Sequence, residues 1–158
     1  MKSARLVLTH PALIAGIGAT LCTLVLTHLD EWQHELWLMA PFGATMVILF
    51  GLPASPLAQP KNIILGHLLT TLVGLVVLHT WGMTPLSLSI AVGMAISLML
   101  LTKTTHPPAG ANPLVVMLTA QDWPFLIAPV LTGALLITLS GWLYHKWASG
   151  QPYPVRQN

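Results

Sequence analysis

Thr104-Thr105-His106-Pro107-Pro108-Ala109-Gly110-Ala111-Asn112-Pro113 stands between apolar runs, where a membrane-spanning helix would be expected. Three prolines, a glycine, an asparagine and a histidine are poor material for an unbroken helix. Proline lacks the backbone donor and collides with the preceding turn. How the chain accommodates this stretch decides the fold.

The surroundings are strongly apolar. Of 158 residues, 54% are hydrophobic and 6% are charged, with a mean hydropathy of +0.75. Soluble domains carry about 25% charged residues. So few charges cannot coat a water-facing surface, and membrane lipid is the expected surroundings. Six basic residues against four acidic ones are too few for a nucleic-acid footprint. Cys22 is the single cysteine; it excludes an intrachain disulfide and reads as a buried structural thiol. The start, Met1-Lys2-Ser3-Ala4-Arg5, is similar to a signal-peptide n-region. The apolar run from Leu6 to about Leu29 is too long for an h-region, and no A-x-A site closes it, so it reads as a retained span.

Four segments reach the length of about 20 residues that crosses a hydrocarbon layer of about 30 Å. They are roughly Leu8–Leu29, Asn62–Thr80, Pro85–Thr102 and Pro124–Trp147. Two shorter runs, Pro41–Leu52 and Pro108–Thr119, each open on proline, which is favoured in the first helical turn. If both short runs cross and the N-terminus is cytoplasmic, Lys2, Arg5, Lys61, Lys103, Lys146 and Arg156 share the cytoplasmic side. Asp30, Glu31, Glu35 and Asp122 then fall opposite. Turning the short runs back would place Lys61 and Lys103 outside. Trp32, Trp37, Trp81 and Trp123 would mark the outer interface, and Trp142, Tyr144 and Trp147 the inner one. Five extended residues at about 3.3 Å and eleven helical ones at about 1.5 Å together span roughly one bilayer core. Each short run is therefore expected to be half extended and half helical, with its helix starting near the midplane.

A shift of 67 residues superposes Pro41-Phe42-Gly43-Ala44 on Pro108-Ala109-Gly110-Ala111. It also places Gly66 on Gly133 and Gly74 on Gly141, and nine of the 34 positions from 41 to 74 are identical. The leading helices align only with a different shift, Pro11 on Pro85. The expected fold is all-α: a polytopic transmembrane helix bundle of four full spans plus two broken, short helices. Residues 1–148 form one domain, with repeat A about 8–82 and repeat B about 83–148, and residues 149–158 form a cytoplasmic tail. Three crossings per unit would invert the second repeat, a plan that recurs in transporters.

Irregular backbone at membrane depth is tolerated where protein buries it or a polar cavity bathes it. A helix N-terminus carries unpaired amides and about half a positive charge, and so favours an anion. Pro41, Gly43 and Ala44 in one copy, and Pro107, Pro108, Gly110 and Ala111 in the other, would offer backbone to such a guest. The alternative is a tight turn opening a short packed helix. Thr45 and Asn112 hold equivalent positions and would add polar contacts, although Pro113 after Asn112 equally fits a local turn. His67 and His106 fall on the predicted cytoplasmic side and read as a protonatable gate or as hydrogen-bonded packing residues. No H-x-x-x-H spacing appears and the apolar runs lack carboxylates, so neither a metal nor a cofactor is expected. No Ser/His/Asp set or Walker-type loop appears either, which disfavours an enzyme.

Thr105-His106-Pro107-Pro108-Ala109-Gly110-Ala111 resembles the signature of the HPP family of integral membrane proteins. The resemblance extends to Pro41-Phe42-Gly43-Ala44, to Ser55-Pro56-Leu57-Ala58-Gln59-Pro60-Lys61-Asn62 and to Gly66-His67. It covers about residues 8–147. The family is commonly described with four spanning helices, which conflicts with six crossings. Plant chloroplast and cyanobacterial relatives are associated with nitrite transport, and Pro113 departs from the family pattern. The resemblance implies nitrite transport, which fits the anion site read from the residues; the expected protein is a transporter or channel for a small monovalent anion, nitrite first, in a bacterial inner membrane, with both termini cytoplasmic by the charge pattern. A conduit for a neutral solute or gas, and a non-transporting subunit or sensor, are the alternatives. A homo-oligomer is expected from the glycine faces.

Overall fold

The computed structural model describes residues 10–33 and 37–155. Lys2, Arg5, Glu35 and Arg156, four of the charges used above, lie outside the described residues. Among the described residues there is no strand, and the chain folds as a helical bundle. Helix α1 is Pro11–Gln33, α2 is Ala40–Gly51, α3 is Pro60–Trp81, α4 is Pro85–Leu101, α5 is Asn112–Leu118 and α6 is Thr132–Tyr144.

Local chemistry sets the boundaries. Pro41 sits in the first turn of α2 behind an extended Met39, and Pro60 opens α3, which stops at Gly82 with φ 70°. Thr84 and Ser87 form a reciprocal capping box that starts α4. In α2, Pro41, Phe42, Thr45, Met46, Leu49 and Phe50 are buried, two adjacent columns at four-residue spacing that make one helical stripe.

Three helical segments, rather than four, are long and apolar enough to cross a membrane among the described residues: Pro11–Glu31, Pro60–Trp81 and Trp123–Ser149. The segment expected over Pro85–Thr102 forms a helix of 17 residues, about 25 Å at 1.5 Å per residue. Its capping box fixes one end, and the backbone of Lys103, at φ 54°, turns away at the other. The segment expected over Pro124–Trp147 is not one regular helix. Trp123–Leu126 is a 3-10 turn, Ile127–Leu131 is π-helical with a non-helical Ala128, and regular helix resumes at Thr132.

The two ends of α3 orient everything else. Lys61, at its start, shares a cleft with Lys103. Near its far end, His79 Nε2 lies 3.3 Å from Asp122 Oδ1, and the His79 ring stacks on Trp123 with centroids 5.2 Å apart. The chain between Lys103 and Asp122 therefore travels from one end of α3 to the other and does not turn back. It does so as extended Thr104–His106, a 3-10 turn at Pro107–Ala111, and then α5.

The α2 helix begins near the middle of the bundle and runs the other way. Thr45, in its second turn, touches His67, whereas Leu49 O accepts from His145 Nε2 at 2.9 Å and Pro53 O accepts from Gln59 at 2.9 Å. Glycines allow the close approach. A Cβ on Gly66 would sit 2.9 Å from His106 Cβ, and one on Gly74 3.0 Å from Pro113 Cα. Gly133 lies against Phe42, and a Cβ on Gly141 would sit 2.7 Å from Leu49 Cδ2. Cys22 is buried in the same core.

Candidate functional site: a buried polar chain behind a two-motif groove

The two tips meet around one imidazole. His67 projects from the second turn of α3 and is completely buried, as are Thr45 and His106, while Asn112 is 1% exposed. The hydrogen positions follow from the partners. His106 Nδ1 lies 2.7 Å from the carbonyl of Leu57. A carbonyl only accepts, so Nδ1 carries the proton, and Nε2 of the neutral ring is an acceptor. Thr45 Oγ1, 2.9 Å from that Nε2, donates to it. The same hydroxyl oxygen accepts from His67 Nε2 at 2.9 Å. His67 Nδ1 is then bare and accepts from Asn112 Nδ2 at 3.0 Å.

A one-directional chain results: Asn112 donates to His67, His67 to Thr45, Thr45 to His106, and His106 to Leu57. Asn112 Nδ2 also lies 3.0 Å from His67 O and 2.9 Å from Thr71 Oγ1, so its two hydrogens are shared among three acceptors. Pro41 O, 3.0 Å from Thr45 Oγ1, shares the threonine hydrogen. Phe42 covers the assembly with its ring edge on His67, centroids 5.1 Å apart. The imidazole nitrogens, the Thr45 hydroxyl and the Asn112 NH2 group are spent on one another, on Thr71 and on backbone, as buried polar groups require.

In front of this chain lies an open groove of about 570 Å³ between the two broken segments. Ala40, Pro41 and Ala44 line it from α2, and Pro107, Pro108 and Ala111 from the opposite turn. Gly43 has no neighbour within 4 Å at the position a Cβ would take, and Gly110 has only Met99 Cε at 4.0 Å. The same openness occurs at Gly16, Gly51 and Gly93; what marks Gly43 and Gly110 is that each directly precedes a groove-lining alanine.

The tips do not present a bare ring of amides. Pro41, Pro107 and Pro108 have no N–H. Phe42 N and Gly43 N turn back to Met39 O at 2.9 and 3.4 Å, and Ala109 N donates to His106 O at 3.0 Å. The residues singled out from sequence thus divide into two layers. Pro41, Ala44, Pro107, Pro108 and Ala111 line the groove, while Thr45, His67, His106 and Asn112 lie behind it and bind its walls together. The two histidines do not border an open approach. Among the described residues, no three metal-binding side chains gather.

Sequence reasoning missed three members. Thr71, four residues after His67, was recoverable from helical spacing. Phe42 lay hidden inside the motif as a variable position. The Leu57 carbonyl left no side-chain signal. Also unforeseen is the fold-back of residues 151–155, where the Tyr153 hydroxyl donates to Ala58 O at 3.0 Å and Val155 N to Gln59 Oε1 at 2.9 Å. Burial raises the Tyr153 phenol above its ordinary range.

The family description "HPP, transmembrane region" matches residues 5–154. A transmembrane protein of Dictyostelium discoideum is 33% identical over 147 residues, 88% of this chain and 47% of its own length. Another from the same organism is 39% identical over 126 residues, 75% of this chain and 44% of its own. The chain thus spans about half the length of the curated relatives it matches. No solved structure matches.

Proposed function

The chain belongs to the HPP family of multi-pass membrane proteins, and we propose that it moves a small monovalent anion, nitrite first, through the groove between its two broken segments. One observation carries this reading. Ala40, Pro41 and Ala44 line the groove together with Pro107, Pro108 and Ala111, three pairs made equivalent by the 67-residue shift.

The glycine contacts support the same inverted repeat. Gly66 packs on Ala109 and Gly133 on Phe42; Gly74 packs on Val116 and Gly141 on Leu49. Each contact turns into its counterpart when 67 is added or subtracted. Paired repeats with broken helices at mid-depth are a transporter plan. The positive ends of two oppositely running helical segments face the groove, and its walls hold no charged side chain. Such a path suits a weakly hydrated, singly charged ion, because stripping water from a multiply charged one costs far more.

In this reading Thr45, His67, His106 and Asn112 are positioning residues that hold the walls apart at a set width, and the chain performs no catalysis. Its membrane is the bacterial inner membrane, both termini are cytoplasmic, and copies assemble as a homo-oligomer. Nitrite uptake into proteoliposomes tests the path. Ala44→Leu and Ala111→Leu each add bulk at a groove-lining position and should cut flux at least tenfold while the helical circular dichroism and the elution volume persist. Unchanged flux in both folded variants removes the motifs from the pathway.

A neutral small solute is the second reading. It is favoured by the apolar walls and by the amides of Phe42 and Gly43 being turned back on Met39. Flux indifferent to competing monovalent anions would select it over the first.

A further inference from the structure

At the opposite end of α3 from Asp122 lies a second cavity. The first turn of α3 contributes Lys61, and the turn after α4 contributes Lys103. Residues 154–155 of the folded-back C-terminal segment close the far side, leaving a cleft of about 450 Å³. Asn62 Nδ2 donates to Thr105 O at 2.8 Å and so fixes the two lysine-bearing turns relative to each other. The third wall is pinned by the Tyr153 and Val155 hydrogen bonds to Ala58 and Gln59.

We infer that this cleft is a binding site for a phosphate group, held between the Lys61 and Lys103 ammonium ions at the start of α3. Three observations converge on it. Among the described residues the only contact of a carboxylate with a basic side chain is His79 with Asp122, and none of the described residues lining the cleft is acidic, so its two lysines share a pocket with no counter-ion among the described residues. Lys103 adopts φ 54° at the end of α4, with Thr104 N donating to Met99 O at 3.0 Å. Helices usually place glycine or asparagine in such a left-handed position. This turn brings Lys103 onto the wall of the cleft that Lys61 also lines. The volume, finally, falls in the range of small-molecule sites, about 300–1,000 Å³. It is roomy for a bare monovalent ion and fitting for a phosphate ester. Lysine binds phosphate as a point charge, and the first turn of a helix adds amide dipoles of the same sign.

The phosphate can belong to an acidic phospholipid headgroup or to a soluble phosphate, and the test separates them. Thermal unfolding is followed by tryptophan fluorescence in phosphate-free dodecyl maltoside micelles, either titrated with inorganic phosphate or supplemented with phosphatidylglycerol. A saturable rise in Tm with inorganic phosphate assigns the site to soluble phosphates; a rise with phosphatidylglycerol alone assigns it to headgroups. No rise with either overturns the site. The double variant Lys61→Gln/Lys103→Gln should bind the effective probe at least tenfold more weakly. Lys103→Gly should separate the two roles of that residue, raising Tm without probe, because it relieves the backbone, while weakening the probe's effect. Lys146→Gln, which removes a lysine stacked on Trp142 and Trp147, is the control. A loss equal to that of the double variant would reduce the effect to general surface charge and refute the site. Full probe response in Lys103→Gly would refute it as well.

Discussion

Gly66 offers the sharpest test of how the broken segment is held. A methyl group added there would sit 2.9 Å from His106 Cβ and 3.1 Å from Thr104 O, with Ala109 Cβ at 3.6 Å. Carbon atoms rest at about 3.5–4.0 Å, so α3 and the extended Thr104–His106 segment must separate by about 0.6 Å or more. The first two of these neighbours are a backbone atom and a Cβ, so no flexible side-chain tip can swing aside. Overpacking costs about 1–3 kcal/mol, and this site belongs in the upper half of that range. Alanine regains about 1 kcal/mol of helix propensity over glycine. Gly66→Ala should therefore lose about 1–2 kcal/mol net, a fall of several degrees in Tm at about 2–4 °C per kcal/mol for a chain near this size. Gly43→Ala is the matched control. It lies in α2 with nothing within 4 Å and no positive φ, so it should gain up to about 1 kcal/mol. The two variants are compared by thermal unfolding in one detergent. Gly66→Ala as stable as Gly43→Ala would mean the segment is not clamped on α3, and the described proximity would be wrong.

Thr45→Val keeps the shape but leaves His67 Nε2–H and His106 Nε2 without a partner; at about 1–3 kcal/mol per unsatisfied buried group, it should cost at least twice what Thr138→Val does. The Thr138 hydroxyl bonds only back to Ala134 O at 2.7 Å, so equal losses in chemical unfolding would discount the chain of donors. Burial keeps the Tyr153 phenol protonated beyond its ordinary value of 10.0. Its contribution is thus complete below that pH and is lost as pH rises toward the raised folded value, because the unfolded state sheds its proton first. Protease cleavage within the C-terminal segment should accelerate above about pH 10, and Tyr153→Phe should show faster cleavage at pH 7 with no such step. In a Cys22→Ser background, cysteines at 61 and 103 should label from one face of the membrane and a cysteine at 122 from the other; labelling of all three from one face would refute a crossing of residues 104–119.

Much of this arrangement was legible in the chain because it rests on local chemistry. Prolines at 41, 60, 85 and 107 open helical segments, and the His106–Asn112 stretch breaks a span as its composition demands. The shortfall of α4 was less visible. Pro85–Leu101 is apolar throughout, and hydropathy does not register that Lys103 takes a left-handed turn. The break near Ala128 did have a signal, since Pro129 stands inside the apolar run and cannot donate within a regular helix. The tail had none. Tyr153 meets Ala58 across 95 positions, and no periodicity links residues so far apart. The histidines were found, but their role turned on a main-chain carbonyl at Leu57, and any residue type supplies one.

That carbonyl has a consequence for the groove. Because Leu57 O fixes the proton on His106 Nδ1, each later bond in the chain has one allowed direction, ending at the amide of Asn112. The chain is complete only when α2, α3 and both broken segments stand in one register. Moving α2 along its axis by one residue, about 1.5 Å, withdraws Thr45 from both imidazoles at once and leaves buried nitrogens unpaired. Apolar walls alone would tolerate such a slip, since alanine and proline surfaces slide on one another at little cost. The polar chain supplies the registry that the groove's own lining lacks. Thr45→Ser, which retains the hydroxyl, should then preserve the spacing of Ala44 and Ala111, while Thr45→Val loosens it. Spin labels on Ala44→Cys and Ala111→Cys measure this directly in a Cys22→Ser background. A distance distribution equally narrow in the serine and valine variants would transfer the control of width to the helix packing at Gly66 and Gly133.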